Sequence, residues 1–253
     1  MNLIIGGALG RMGREVALAA EAAGFGVACG VDVKYSGQPA DFPIVTGFDR
    51  VEADADALID FSRPEALPEL LQLACQKRMP TVLCATGYTD VEVKSIERAA
   101  AEIPILRSAN MSLGVNVMRQ LVAMAAKALG EDFDIEIIEK HHRMKVDSPS
   151  GTAIMLYDAA AAERDSQVEA VYGRYGRTQK RAPHEIGIHA VRGGSVTGEH
   201  EVGFYGNGEQ ILLTHRAENR SLFAQGALRA ARFLQGKPAG LYTMQDVVTE
   251  MLR

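Results

Sequence analysis

Cysteine is scarce in this chain. The three present, Cys29, Cys75 and Cys84, are odd in number, and none forms a Cys-x-x-Cys pair. A disulfide framework and a structural zinc site are therefore excluded, and a reducing compartment fits better. Each cysteine lies in an apolar run, where a free thiol serves as a small core residue. No stretch reaches the ~18 consecutive apolar residues of a membrane-spanning helix. The opening Met-Asn-Leu-Ile-Ile-Gly-Gly has neither the basic start nor the cleavage site of a signal peptide, so a cytoplasmic protein is expected. Positive charge is in deficit. A net charge of −5 and a pI near 5.7 argue against nucleic acid and membrane as partners, leaving room only for a local basic patch. Tryptophan is absent, and aromatics make up 6%.

What is present is an ordinary globular balance, 47% hydrophobic and 23% charged over 253 residues. That length suits one large domain or two small ones, and two are expected. The first part alternates strand and helix. Residues 3–5 are a short apolar strand, 11–23 a helix stopped by Gly24, and 27–33 and 57–61 further strands. Ser62-Arg63-Pro64-Glu65 has the spacing of a capping box with proline in the first turn, opening a helix to about residue 76. Strand 81–85, a second capping box at Thr89 and Glu92 with a helix to 101, and strand 103–107 follow. Strands separated by helices predict a parallel sheet with right-handed crossovers. The pattern changes after about residue 112. A long helix at 115–129 precedes a half-exposed strand at 133–139 and a helix at 152–164. Strands at 185–192, 200–205 and 210–216 then follow with no helix between them, predicting a mainly antiparallel sheet. Residues 170–183, with Arg174, Arg177, Lys180 and Arg181, read as a mobile surface loop. Helices at 222–234 and 243–252 close the chain.

Two runs carry chemistry. The first is Gly7-Ala8-Leu9-Gly10-Arg11-Met12-Gly13, between the first strand and first helix. This G-x-x-G-x-x-G turn is a variant of the dinucleotide fingerprint: glycines let the backbone approach a pyrophosphate, and the helix start supplies N–H groups to hold it. The fingerprint also requires an acidic residue near the end of the next strand to bind the adenosine ribose, and Asp32 is there. A plain strand–helix turn that binds nothing would need no such acid. Asp32 favours NADH, while Lys34 and Arg11 suit the extra phosphate of NADPH, so tolerance of both is expected. The second run is residues 139–153, with His141, His142, Arg143 and Lys145 ahead of a Ser150-Gly151-Thr152 helix start. A helix N-terminus beside cationic side chains suits a carboxylate-bearing substrate, and a histidine or lysine there can act as general acid. The bland alternative is a charged strand end before a capped helix. Metal binding is not expected, because adjacent histidines on a strand face opposite ways.

Together these runs resemble the dihydrodipicolinate reductase (4-hydroxy-tetrahydrodipicolinate reductase) family. The likeness covers essentially the whole chain and is most specific over Glu139 to Ala153, which matches E-x-H-H-x-x-K-x-D-x-P-S-G-T-A. The resemblance implies a Rossmann-like α/β nucleotide domain, residues 1–112 and 221–253. It also implies an α+β substrate and oligomerisation domain, residues 113–220, with closure between them. It implies NAD(P)H-dependent reduction in the diaminopimelate route to lysine, on a small dicarboxylate, by a homotetramer. Gly7, Ala8, Leu9, Gly10, Arg11 and Met12 would hold the pyrophosphate and Asp32 the ribose. Cys84, Ala85 and Thr86, with Ser108, Ala109, Asn110 and Met111, would line the nicotinamide side. His141 would be the general acid and Lys145 its catalytic companion. His142, Gly151 and Thr152 would grip the substrate carboxylates, and Arg220 would help orient it. Cys84-Ala85 departs from the family's usual Gly-Thr, and Met111 stands where many relatives carry an aromatic. Aspartate and homoserine dehydrogenases lack the His-His-x-x-Lys run. A nucleotide-sensing regulator would need a DNA-binding or partner module that no segment supplies.

Overall fold

A computed structural model describes residues 1–177 and 179–252; Thr178, inside the expected 170–183 loop, and the C-terminal Arg253 lie outside them. In chain order the first elements are β1 (Asn2–Gly6), α1 (Arg11–Ala22), β2 (Gly26–Val31), β3 (Ile44–Val45), β4 (Ala57–Asp60), α2 (Leu67–Gln76), β5 (Thr81–Leu83), α3 (Asp90–Ala100) and β6 (Pro104–Arg107). Then come α4 (Leu113–Leu129), β7 (Asp134–His141), α5 (Gly151–Ala161), β8 (Glu169–Tyr172), β9 (Glu185–Arg192), β10 (Gly198–Tyr205) and β11 (Gln210–Ala217). Helix α6 (Ser221–Leu234), β12 (Gly240–Tyr242) and α7 (Met244–Met251) end the chain. The chain divides into two compact units, Met1–Leu113 with Arg220–Arg253, and Gly114–Asn219.

The first unit holds a seven-stranded parallel sheet, ordered β12-β6-β5-β4-β1-β2-β3. Its strands are continuous apolar runs because helices bury both faces. Leu3 and Ile5 point to the face packed by α1, α6 and α7, with Val16, Ala227, Ala231 and Val247 against them. Ile4 points to the face packed by α2 and α3, against Leu67, Leu70 and Ile96. The short strands β3 and β12 carry too few residues to show a period and escape a sequence reading. Thr89 caps α3 with the full reciprocal box expected of it. Ser62 does not cap. Proline at 64 holds Arg63 in extended backbone, Arg63 becomes the cap residue of a 3₁₀ turn over Pro64–Ala66, and the Ser62 N–H goes to the Asp60 carboxylate at 3.0 Å.

The second unit holds a five-stranded mixed sheet, ordered β11-β10-β7-β9-β8. The ladders of β10, with β11 and with β7, are antiparallel; β7–β9 and β9–β8 are parallel. The helix-free stretch after residue 185 does not run as one antiparallel meander, because β9 pairs with β7 rather than β10. The β7-to-β9 connection contains α5, and such a crossover returns the chain parallel. Helices α4 and α5 cover one face with Val122, Ala126, Leu156 and Ala160 against Ile135, Ile137, Val202 and Phe204. Among the described residues of 170–183, the first are not loop but strand, and two arginines are paired. The segment contains most of β8, and Arg174 and Arg181 both reach Glu136, at 2.8 and 3.2 Å, while Arg181 also pairs with Asp134 at 2.6 Å.

Candidate active site

In the first unit the glycine turn leaves β1 and is closed against the end of β2. The N–H groups of Gly7 and Ala8 donate to the Val31 carbonyl at 2.8 and 3.2 Å. Gly7 has φ +71°, and a Cβ there would meet the Phe61 carbonyl oxygen at 2.8 Å. A Cβ at Gly13 would collide with the Gly7 carbonyl, so α1 can lie this close to the turn only with glycine at that place. Asp32 sits one residue past β2, and both its carboxylate oxygens take backbone N–H groups, Leu9 at 2.9 Å and Lys34 at 2.9 Å. It thereby braces the turn, and each oxygen keeps a lone pair for a hydroxyl. Gly7, Leu9, Gly10, Asp32 and Lys34 line a cleft of about 710 Å³. Phe61, Ser62, Arg63, Thr46 and Phe48 line its other wall. Sequence reasoning missed that second wall; the only signal was that β4 ends beside β1 in a parallel sheet, where ligands collect at strand C-termini.

Cys84-Ala85-Thr86 and Ser108-Ala109-Asn110-Met111 follow the adjacent strands β5 and β6 and so sit at the same sheet edge. Cys84 and Met111 turn their side chains into the core, which leaves backbone for any ligand there. The Ser108 hydroxyl donates to the Asn110 carbonyl at 2.8 Å, and Ser112 N–H to the Asn110 side-chain oxygen at 2.9 Å, fixing that turn. Beneath these turns Asp60 is 1% exposed, and burial pushes its pKa up to about 6.

In the second unit the period-two alternation of β7 puts Ile135, Ile137, Glu139 and His141 on one buried face. Glu139 thus lies on the apolar side, not among the exposed acids of the strand. Sheet register sets His200 of β10 opposite Glu139, and Arg192 of β9 opposite His141. The Glu139 carboxylate, wholly buried, receives His141 Nδ1 at 2.5 Å and Arg192 Nη1 at 2.7 Å on Oε2. Arg192 Nη2 at 2.7 Å and the Ser150 N–H at 3.0 Å reach Oε1. Burial works against this charge, but the Arg192 and His141 hydrogen bonds outweigh it and hold the Glu139 pKa below the usual carboxylate range. For His141 burial wins. Its pKa lies below the ordinary histidine value despite Glu139, with Lys145 and Arg192 pressing the same way as burial. His200 packs edge-on to His141, ring centroids 5.1 Å apart, and burial takes its pKa down to about 4. Its Nε2 is 2.9 Å from the Ser150 hydroxyl, which caps α5 by accepting from Ala153 N–H at 3.2 Å.

Lys145 lies in the loop after β7, its Nζ 2.8 Å from each oxygen of Asp147. Gly151 and Thr152 form the first turn of α5, and a Cβ on Gly151 would meet nothing within 4 Å. First-turn N–H groups lack intrahelical partners and favour an anion. His141, Lys145, Gly151 and Thr152, with His142 directly after β7, are therefore brought together in this unit. Sequence reasoning missed Glu139, Arg192 and His200 as parts of the arrangement, while Ser150 stands at the helix start as expected. Counting alternate residues back from His141 would have put Glu139 on its face; Arg192 and His200 arrive only through strand register.

Two family models match, one described as dihydrodipicolinate reductase, N-terminus, over residues 1–111, and one as dihydrodipicolinate reductase, C-terminus, over residues 114–248. A 4-hydroxy-tetrahydrodipicolinate reductase of Caldanaerobacter subterraneus is 51% identical over 98% of this chain and 98% of its own. The same enzyme of Clostridium tetani is 44% identical over 96% and 95%. Among solved structures, a dipicolinate-bound dihydrodipicolinate reductase from Paenisporosarcina superposes with TM-score 0.79 at 23% identity, covering 96% of this chain and 97% of that one. A Corynebacterium glutamicum diaminopimelate dehydrogenase superposes at TM-score 0.55 and 14% identity, covering 100% and 95%, a likeness of fold.

Proposed function

The chain belongs to the dihydrodipicolinate reductase family, and from that premise we propose how its residues divide the reduction of 4-hydroxy-tetrahydrodipicolinate to tetrahydrodipicolinate in the diaminopimelate route to lysine. The ring hydroxyl leaves as water, and a hydride and a proton add to the ring. A nicotinamide cofactor, when bound, supplies the hydride. The glycine turn fits it: without side chains at Gly7 and Gly13 the backbone turns tightly and α1 starts close against it, so the helix start faces the cleft that Gly7 and Gly10 line. Gly7, Ala8, Leu9, Gly10, Arg11 and Met12 would hold that group, Asp32 the adenosine ribose, and the turns at 84–86 and 108–111 the nicotinamide end. Lys34 and Arg63 on the same cleft carry the charge that a 2′-phosphate would need, so both NADH and NADPH are expected to serve.

The observation that carries the catalytic reading is His141, buried against Glu139 at the mouth of the α5 N-terminus. Its Nδ1 is engaged by the carboxylate, which leaves Nε2 to exchange a proton with the substrate. An ideal Cβ on Gly198 would lie 3.1 Å from that Nε2, so glycine keeps the approach clear. Gly151, Thr152 and His142 would hold the two substrate carboxylates. A dianion bound here stabilises imidazolium, so substrate itself charges the acid. Lys145 adds a second cation to the same pocket. Dipicolinate, named with the Paenisporosarcina structure, is a ring dicarboxylate of the kind this turn would hold. We further infer a cytoplasmic homotetramer, four times the 27.3 kDa chain mass.

The test is NADH or NADPH oxidation by purified protein, followed with substrate formed freshly from pyruvate and aspartate semialdehyde. Oxidation that depends on both precursors is expected with each cofactor. His141→Gln and Lys145→Ala should each cut turnover strongly while cofactor affinity survives. Near wild-type rates would remove them from the mechanism.

A further inference from the structure

One carboxylate and its guanidinium partner link the histidine, the loop that carries Lys145 and the start of α5 in the second unit. Glu139 receives His141 Nδ1, the backbone N–H of Ser150 and both terminal nitrogens of Arg192. Arg192 Nη2 also donates to the Asp147 carbonyl at 2.7 Å, and Asp147 holds the Lys145 ammonium. Ser150 is the cap of α5. We propose that the buried Glu139–Arg192 pair is the positioning element of this site: it fixes the His141 ring with its proton on Nδ1 and locks that ring, the Lys145 loop and the anion-holding start of α5 into one geometry.

Three features carry this. The first is the tautomer. A carboxylate accepts only, so a neutral imidazole bonded to it through Nδ1 must carry its hydrogen there. Nε2 is then the atom that takes a proton and returns it, and it lies beside Gly198, where the missing side chain leaves it room. The second is register. Arg192 and Glu139 come from neighbouring parallel strands, so their bidentate contact needs the β7–β9 ladder to be in place, and its planar fork allows little rotation. The third is burial. Glu139 has no exposure, so the contact is not a solvent-screened surface pair. The proposal rests on His141 as the proton donor; the tautomer it predicts is measurable without turnover.

Glu139→Gln keeps the shape and removes the charge. Turnover should fall about 10- to 100-fold, the usual cost of losing an orienting partner, with cofactor affinity unchanged. The groups facing His141 are Glu139 on its own strand, Arg192 on β9, His200 on β10 with His215 beyond it, and Lys145 in the loop. Of these Glu139 alone favours imidazolium, so Glu139→Gln should move the high-pH limb of the rate, where His141 loses its proton, to lower pH. Arg192→Met, which removes a cation, should move it to higher pH. Opposite shifts are the signature, and a merely structural defect would not produce them. In a His141→Gln background Glu139→Gln should cost far less than in the parent, because only its hold on the Lys145 loop and the start of α5 remains to be lost. Nitrogen-15 spectra of histidine-labelled protein should show an Nδ1–H tautomer for His141 in the parent and a mixed population in Glu139→Gln. If Glu139→Gln does not fold, Arg192→Met carries the test by the opposite shift of the same pH limb. Unchanged tautomer and unchanged pH limb, or equal losses with and without His141, would overturn the proposal. Absence of substrate-dependent oxidation in the parent would instead overturn the reaction, leaving the tautomer result to stand by itself.

Discussion

A side chain's neighbours decide which of its protonation states does work, and His141 illustrates this. Burial, Lys145 and Arg192 hold its pKa below the usual histidine value while Glu139 opposes them. A donor must be protonated, so kcat/KM, which reports the free enzyme, should fall as pH rises through that lowered pKa. With the dianionic substrate bound the pKa rises, so the corresponding limb of kcat should lie at higher pH. Rate profiles between pH 5 and 9 check this; coincident limbs would mean that bound substrate does not charge His141. The residues that carry the chemistry were legible where they are local in sequence. The turn of Gly7, Gly10 and Gly13, Asp32, and the run from His141 to Thr152 could be read directly. Arg192 and His200 could not, because only strand pairing brings residues some fifty positions away onto Glu139 and Ser150.

At the scale of elements, the same four-residue spacing gave two different outcomes. Thr89 and Glu92 form a reciprocal box on α3, with Thr89 N–H to Glu92 at 2.7 Å and Glu92 N–H to the Thr89 hydroxyl at 3.3 Å. Ser62 and Glu65 form none, because Pro64 moves the cap to Arg63 and the Ser62 hydroxyl points to the Arg63 carbonyl. Thr89→Ala should therefore cost about 1 kcal/mol of stability, the usual loss of a cap. Ser62→Ala should change it by less than about 0.5 kcal/mol, as for a surface substitution. Urea denaturation of both variants decides; equal losses would refute the distinction. The parallel sheet was legible because its strands are apolar runs between helices. The pairing in the second sheet was not, since a strand's partner depends on which crossover intervenes, and α5 sends β9 to β7.

For the molecule as a whole, each unit has its own core and its own proposed ligand. NADH alone should slow amide hydrogen exchange in the turn of residues 7–13 and around Asp32. Dipicolinate alone should slow it at the start of α5 and in the loop after β7. Mass-spectrometric exchange on each binary complex reads this directly, and dicarboxylate protection confined to the glycine turn would reverse the assignment of ligands to units. The interruption of the first unit has a consequence for synthesis. One face of its parallel sheet is covered by α1 together with α6 and α7, and those last two helices lie beyond residue 219. A ribosome that has delivered the first 113 residues has made six of seven strands but only part of their cover. The second unit is continuous and complete on emerging. The chain that starts the nucleotide-type sheet must therefore wait, one face only part-covered, until the residues past 219 have been made, while the inserted unit can fold ahead of it.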